Sequence, residues 1–168
     1  MEKNNENQEF INYWEYLGIP MNSPMSKIKI AFCSKFMKIE QSLIKVEKKY
    51  TPKDLEITTK AFITLSDPYL RYLHNCEIDG EPTPTTEGLL EYLESSEEEI
   101  EQDLDNQMEE KFRNWLNYII DKYSNIEKIF ITKLNQSELD ILVNIVNELT
   151  DVQNKLNKTK NQQRSLNL

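Results

Sequence analysis

The residues of this sequence whose types could carry chemistry are few and scattered. The single histidine, His74, has no acid or nucleophile at a spacing that would indicate a catalytic site. Gly80 and Gly88 do not make a phosphate-binding loop. Glu97 and Glu101 are one helical turn apart and could bind a metal, but a helix-bundle metal site adds a Glu-x-x-His motif that this sequence lacks. We therefore expect no enzyme activity, no metal site and no cofactor.

The two cysteines, Cys33 and Cys76, are too few for a disulfide framework or a tetrahedral zinc site. We expect Cys33 to act as a small apolar residue near a helix core. A reducing compartment inside the cell follows, either the cytoplasm or, in a eukaryote, the matrix of a mitochondrion or of a mitochondrial remnant. Residues 1–10 contain three glutamates and no arginine, so neither a secretory signal nor a transit peptide is predicted.

The sequence carries an excess of negative charge. Its formal net charge is −9, whereas a nucleic-acid binder needs a basic face to replace the counterions of the phosphates. No segment approaches the ~20 apolar residues of a membrane span. We therefore expect neither a nucleic acid nor a membrane as a partner.

Carboxylates accumulate between Arg71 and Lys111, a stretch with no lysine or arginine. Like charges at helical spacing repel each other by about 0.2–0.5 kcal/mol per pair. A cationic partner would offset that repulsion, and its association would be accelerated. The alternative is a solvated acidic face that keeps the protein in solution, and the run of charge taken alone favours this alternative.

The composition favours an all-α fold, because glycine occurs only 3 times and straight-chain, helix-forming residues dominate. No glycine or proline interrupts residues 25–50, and apolar residues recur there at steps of three and four. This pattern predicts one long helix with an apolar face. The apolar positions are Ile28, Phe32, Phe36, Ile39, Leu43 and Val46.

Two pairs of a capping residue and a proline predict the next helices. Thr51-Pro52, followed by Asp54, and Asp67-Pro68 each place a cap directly before a proline in a first turn. The helix between them would pack against the preceding helix as an antiparallel hairpin. Its inward residues would be Ala61, Phe62 and Leu65.

Three further helices are predicted to start near Glu87, Asn106 and Glu138 and to form a bundle, the last one opened by a capping box of Ser137 and Asp140. The segment before them holds Gly80, Pro82 and Pro84 and is the predicted linker. The resulting division is a disordered start at 1–8, a hairpin domain at 9–77, a linker at 78–86, a helical bundle at 87–160 and a frayed tail at 161–168.

The N-terminal half resembles a J-domain in three segments. Residues 12–20 read Asn-Tyr-Trp-Glu-Tyr-Leu-Gly-Ile-Pro, residues 26–39 form a lysine-rich helix, and residues 60–68 read Lys-Ala-Phe-Ile-Thr-Leu-Ser-Asp-Pro, with Arg71 beyond. The resemblance covers residues 11–77 and implies the helical hairpin of that family. The family's His-Pro-Asp signature, which triggers ATP hydrolysis in a DnaK-class chaperone, falls here on Glu40, Gln41 and Ser42.

The C-terminal half is similar to HscB, the J-type co-chaperone of iron–sulfur cluster assembly. Residues 89–102 read Leu-Leu-Glu-Tyr-Leu-Glu-Ser-Ser-Glu-Glu-Glu-Ile-Glu-Gln, like the start of the C-terminal domain of that family. The resemblance implies a surface that binds the iron–sulfur scaffold protein IscU. Carried over residue by residue, this surface consists of Leu89, Leu90, Leu93, Glu94, Glu97 and Glu101. The alternative for these leucines is packing within the bundle.

The same resemblance implies a basic face for the partner chaperone of the DnaK/HscA class, formed by Lys27, Lys29, Lys35 and Lys38. The absence of His-Pro-Asp implies weak docking and little or no stimulation of the ATPase. We therefore expect an HscB-like co-chaperone that binds an IscU-type scaffold. Two alternatives remain: a non-catalytic J-like subunit that pairs with another J-protein or a structural partner, and a coiled-coil adaptor with an accidental J-like start.

Overall fold

A computed structural model describes residues 9–45, 49–80, 85–102, 106–124 and 135–166, and of residues 95–102, 106–108 and 159–166 it describes the backbone alone. These residues form helices and contain no strand, which confirms the all-α fold. The helices are α1 (Tyr13–Leu17), α2 (Met25–Ile44), α3 (Pro52–Ser66), α4 (Pro68–Ile78), α5 (Thr86–Gln102), α6 (Asn106–Tyr123) and α7 (Gln136–Leu166).

Helix α1 is short because both of its ends are specified by single residues. The side chain of Asn12 accepts hydrogen bonds from the backbone N–H groups of Trp14 and Glu15, which caps the first turn. Gly18 ends the helix with φ of 74°, a left-handed conformation that glycine adopts without the steric cost of a Cβ.

Helix α2 runs without a break through the position of the J-domain signature, as the absence of proline predicts. Its apolar face is buried at Ile28, Phe32, Phe36 and Ile39, while Leu43 is partly buried against the same core. Val46 lies outside the described residues. Helix α3 packs antiparallel to α2 and buries the predicted residues Ala61, Phe62 and Leu65.

The predicted helix starts at Pro52 and Pro68 are confirmed. Thr51 and Asp54 form a capping box, in which the Asp54 carboxylate accepts a 2.7 Å hydrogen bond from the Thr51 N–H. The Asp67 carboxylate accepts hydrogen bonds from the N–H groups of Tyr69 and Leu70 at 2.9 and 3.0 Å.

The predicted cap of the last helix is wrong by two residues. The side chain of Asn135 accepts a 2.9 Å hydrogen bond from the Glu138 N–H, and the Glu138 carboxylate accepts from the Asn135 N–H at 3.3 Å. This capping box leaves Ser137 inside the helix. Helix α7 then continues to Leu166, into the segment predicted as a frayed tail at 161–168, and neither glycine nor proline interrupts it.

One hydrophobic core joins the two halves of the chain. The Phe32 ring stacks on Phe62 with centroids 4.5 Å apart and meets the edge of Trp115 at 5.5 Å. Phe112 lies 5.3 Å from Phe62, and Tyr123 lies 6.0 Å from Phe36. The segments on either side of the predicted linker therefore bury a common set of aromatic side chains, and the division into two domains stays a prediction.

The predicted bundle of the last three helices is not confirmed in that form. Helices α6 and α7 pack on each other, and α7 also packs on α3, whereas α5 packs on α4. No helix within the described ranges is long and apolar enough to cross a membrane. The same ranges contain no group of three His, Cys, Asp or Glu side chains placed to hold a metal ion.

Candidate protein-binding site

The aromatic residue Tyr92 of helix α5 contacts α4. The Tyr92 ring lies 5.4 Å from the ring of Tyr72, and the guanidinium carbon of the buried Arg71 lies 5.4 Å from the Tyr92 centroid. Gly88 permits this approach, since a Cβ at that position would lie 2.6 Å from the Tyr72 hydroxyl oxygen. The side of α5 that carries Tyr92 therefore faces the rest of the protein.

Of the three predicted scaffold-binding leucines, Leu90 alone is exposed, and Leu89 lies about 60° around the helix from Tyr92. The side chain of Leu90 is 56% exposed, while Leu89 and Leu93 are partly buried. At about 100° per residue, Tyr92 lies about 160° around the helix from Leu90. The side of α5 around Leu90 is consequently directed away from the contact with α4.

The acidic members of this stripe are described only in part. Glu94 is exposed and lies about 40° from Leu90 around the helix. The side chains of Glu97 and Glu101 lie outside the described residues, although their backbone belongs to α5. We call Leu89, Leu90, Leu93 and Glu94 the α5 stripe. An exposed leucine beside a carboxylate can contribute buried apolar area and a charge that orients a partner.

Two of the three residues onto which the resemblance places the J-domain signature are buried. Glu40 is 4% exposed and forms an ion pair with Lys122 of α6. Ser42 is also buried, whereas Gln41 is exposed. The pKa of the neighbouring Tyr123 hydroxyl is raised, first by burial and then by the Glu40 carboxylate. The carboxylate of Glu40 therefore points into the protein and connects α2 to α6.

The four predicted docking lysines do not form a uniform basic face. Lys27 and Lys38 are exposed. The Lys29 ammonium lies 5.3 Å from the centroid of the Phe112 ring. Lys35 lies 3.8 Å from the centroid of Tyr16, donates a 2.6 Å hydrogen bond to the Tyr16 carbonyl, and has a pKa lowered by burial and then by the nearby Lys38 charge. Two of the four ammonium groups thus make contacts within the protein.

His74 has a structural role that the sequence did not predict. Its Nε2 accepts a 3.0 Å hydrogen bond from the Tyr13 N–H, and its ring stacks on Tyr13 at 4.7 Å. Burial lowers the pKa of His74, which favours the neutral imidazole that can accept this bond. The adjacent Asn75 accepts a 2.8 Å hydrogen bond from the buried Trp14 indole and donates to Asn22. These contacts connect α1 to α4, and no local sequence pattern predicts them.

Both cysteines are at least partly buried, as expected for cysteines with a structural role. Cys33 is partly buried against the hydrophobic core, and burial raises the pKa of its thiol to about 12. Cys76 is buried in α4. Burial outweighs the nearby Lys29 charge at Cys33, so its thiol lacks the low pKa of a reactive cysteine.

No protein-family model matches the sequence, and comparison with the curated proteins and with the solved structures finds no match either.

Proposed function

We propose that this protein is an HscB-like co-chaperone that binds an IscU-type scaffold through the α5 stripe. The exposed Leu90 carries the proposal, because it lies beside Glu94 on the side of α5 opposite to its aromatic contact with α4. In this arrangement one side of α5 packs on the protein and the opposite side is free to contact a partner. The leucine and glutamate types at these positions are those that the resemblance to HscB implies.

The proposed contribution to the chaperone cycle is limited. Glu40 lies within the continuous helix α2 and is ion-paired with Lys122, so its carboxylate is not displayed in a loop. Lys27 and Lys38 remain exposed for contact with a DnaK/HscA-class chaperone. We therefore expect weak docking and little or no stimulation of ATP hydrolysis.

The direct test measures binding to an IscU-type scaffold by isothermal titration calorimetry. Leu90→Ser removes the most exposed apolar side chain of the stripe and should weaken binding at least about fivefold, as the loss of an anchor residue does. Changing Leu89, Leu90 and Leu93 together to serine should weaken binding by about tenfold or more. Far-UV circular dichroism checks that both variants retain their helices.

A matched control is available on another helix. Val143 of α7 is 48% exposed, so Val143→Ser removes a similar exposed apolar side chain far along the chain from the α5 stripe. It should leave the dissociation constant unchanged within about twofold. The site assignment is wrong if Leu90→Ser binds as tightly as the parent protein, and the proposed function is wrong if the parent protein does not bind the scaffold.

The buried ion pair of Glu40 favours a second candidate function. A J-like fold whose signature position takes part in internal packing can serve as a non-catalytic subunit that pairs with another J-protein or a structural partner. This candidate predicts a stable complex with such a partner, no affinity for the scaffold, and no change in chaperone ATPase rate. An affinity measurement with both classes of partner separates the two candidates.

A further inference from the structure

The outward side of α2 carries exposed apolar side chains together with lysines. Ile30 is 55% exposed and Met37, two turns further on, is 43% exposed. The small Ser34 between them is also exposed, and so are Lys27 and Lys38. We call these five residues the α2 surface. Large apolar side chains that share an exposed face mark a protein-binding surface more often than isolated ones do.

Charge is segregated between the α2 surface and helix α5. No aspartate or glutamate lies between Glu15 and Glu40, and no lysine or arginine lies between Arg71 and Lys111. The formal net charge of −9 repels two copies of the chain at long range. Salt at physiological concentration screens this repulsion beyond about 8 Å, so the local charges, basic on α2 and acidic on α5, determine what happens on contact.

The α2 surface has an apolar flank and a basic flank. At about 100° per residue, Ile30 and Met37 lie about 40° and 60° to one side of Ser34 around the helix. Lys27 and Lys38 lie about 20° and 40° to its other side. Because serine is small, the apolar flank has a recess between two large side chains.

Helix α5 has the same two flanks with the opposite charge. Leu93 lies about 60° around the helix from the exposed Leu90, on the side that corresponds to the apolar flank of α2. Glu94 and Glu87, both exposed, lie about 40° and 60° to the other side. Two helices that face each other in parallel bring unlike flanks together. An antiparallel pair instead places the apolar flanks on each other and the basic flank on the acidic one.

We propose that the α2 surface binds helix α5 of a second copy of this chain in the antiparallel orientation. Leu90 of one copy enters the recess above Ser34, between Ile30 and Met37 of the other copy, as a knob enters a hole. This occupant is the one that the molecule itself supplies with matching apolar and charged flanks. The association requires neither a scaffold nor a chaperone, and it therefore goes beyond the proposed function.

The charged flanks fix the orientation of the two helices. Glu87 and Glu94 are about 10 Å apart along the axis of α5, and Lys27 and Lys38 are about 16 Å apart along the axis of α2. Both side-chain types are long enough to cover the difference. The antiparallel arrangement pairs Glu94 with Lys27 and Glu87 with Lys38. Such pairs at the edge of an interface increase the association rate and exclude the wrong register.

The interface joins two different surfaces of the same chain. It is therefore heterologous, and a pair of copies still has one α2 surface and one α5 open for further copies, so that rings or open chains form. Because Leu90 and Glu94 are covered in every such contact, an associated copy cannot use its α5 stripe for another partner.

The test measures self-association of the full chain by sedimentation velocity over about two decades of concentration. The parent protein should sediment faster as its concentration rises. Two double variants reverse one side of the interface each: Lys27→Glu with Lys38→Glu, and Glu87→Lys with Glu94→Lys. Each alone should associate at least about tenfold more weakly, because like charges then oppose each other. An equimolar mixture should associate like the parent, since each reversed surface meets its complement on the other variant.

A matched control changes the net charge by the same amount elsewhere. Lys53 of α3 and Lys158 of α7 are both exposed, and the double variant Lys53→Glu with Lys158→Glu should associate within about twofold of the parent. Far-UV circular dichroism checks that all three double variants retain their helices.

Three results would overturn the proposal. A parent protein that stays monomeric over the whole range would leave the α2 surface to an acidic helix of a different protein. Association that persists in both reversed variants would place the interface elsewhere on the molecule. A mixture of the two reversed variants that does not recover association would show that these charges are not paired across the interface.

Discussion

At the level of single residues, Glu40 shows how packing can redirect a side chain. In the sequence it is one carboxylate among lysines, at the position where a J-domain carries the first residue of its signature. In the structure it pairs with Lys122, a residue 82 positions further along the chain. Because the Glu40 carboxylate is buried, removing Lys122 would leave an uncompensated buried charge, which costs more than the loss of an exposed pair.

His74 should make the stability of the protein depend on pH. Burial lowers its pKa in the folded protein below 6.5, and the charge of Glu77 offsets this only in part. The unfolded chain therefore takes up a proton first as the pH falls through about 6.5. The stabilising contribution of the neutral imidazole is complete above that pH and is lost as the pH falls towards the lower folded-state pKa. Urea unfolding between pH 7 and pH 5 measures the effect.

The control for this titration is His74→Gln, since a glutamine oxygen can still accept from the Tyr13 N–H but does not titrate. The free energy of unfolding of this variant should fall less between pH 7 and pH 5 than that of the parent protein. Glu148 has a pKa raised by burial, so its contribution has the opposite sign, but it is present in both proteins and cancels in the difference. Parallel curves would contradict the assignment. Because His74 is the only histidine, its NMR signal needs no assignment.

At the level of elements, the first residues of the helices determine where they begin. The caps at Thr51 and Asp67 could be predicted because a proline follows each of them directly. The start of α7 has no proline, and four neighbouring residues, Asn135, Gln136, Ser137 and Glu138, are all polar. Several cap registers were therefore possible, and the structure uses Asn135 with Glu138.

The cap of α7 can be tested with two alanine variants. Asn135→Ala removes the acceptor for the Glu138 N–H and should lower the free energy of unfolding by about 1 kcal/mol. Ser137→Ala should change it by less than about 0.5 kcal/mol, because Ser137 is exposed inside the helix. Urea denaturation of both variants gives the comparison. A larger loss of stability in Ser137→Ala than in Asn135→Ala would instead support the predicted capping box of Ser137 and Asp140.

The helices themselves were largely predictable, whereas their arrangement was not. The spacing of Ile28, Phe32, Phe36 and Ile39 predicts both the helix and its buried face, and all four are buried. The placement of α5 on α4 depends on contacts such as Tyr72 with Tyr92. Such contacts between distant residues leave no periodic signal in the sequence, because periodicity reports the apolar side of a helix and not its partner.

At the level of the whole molecule, the shared aromatic core changes what a fragment experiment can mean. Phe32, Phe36 and Phe62 are packed by Phe112 and Trp115 from beyond the predicted linker. An isolated segment of residues 11–77 would expose those rings to water. Its failure to fold would therefore not distinguish a J-like protein from a coiled-coil adaptor.

The two tryptophans give a better test of how the halves are coupled, because Trp14 lies in α1 and Trp115 lies in α6. In Trp115→Phe the fluorescence reports the first half, and in Trp14→Phe it reports the second. In each variant the urea transition seen by fluorescence should coincide with the transition seen by far-UV circular dichroism, since a common core unfolds cooperatively. Separate transitions within either variant would show that the halves unfold independently.

The protected state of both thiols has a practical consequence for studying the protein. With the pKa of Cys33 raised to about 12 and Cys76 buried, a maleimide dye should react slowly with the native chain. A cysteine introduced by Leu90→Cys on α5, or by Ile30→Cys on the exposed side of α2, would then be the preferred attachment point. Single-molecule fluorescence could thus follow either helix without first removing the natural cysteines.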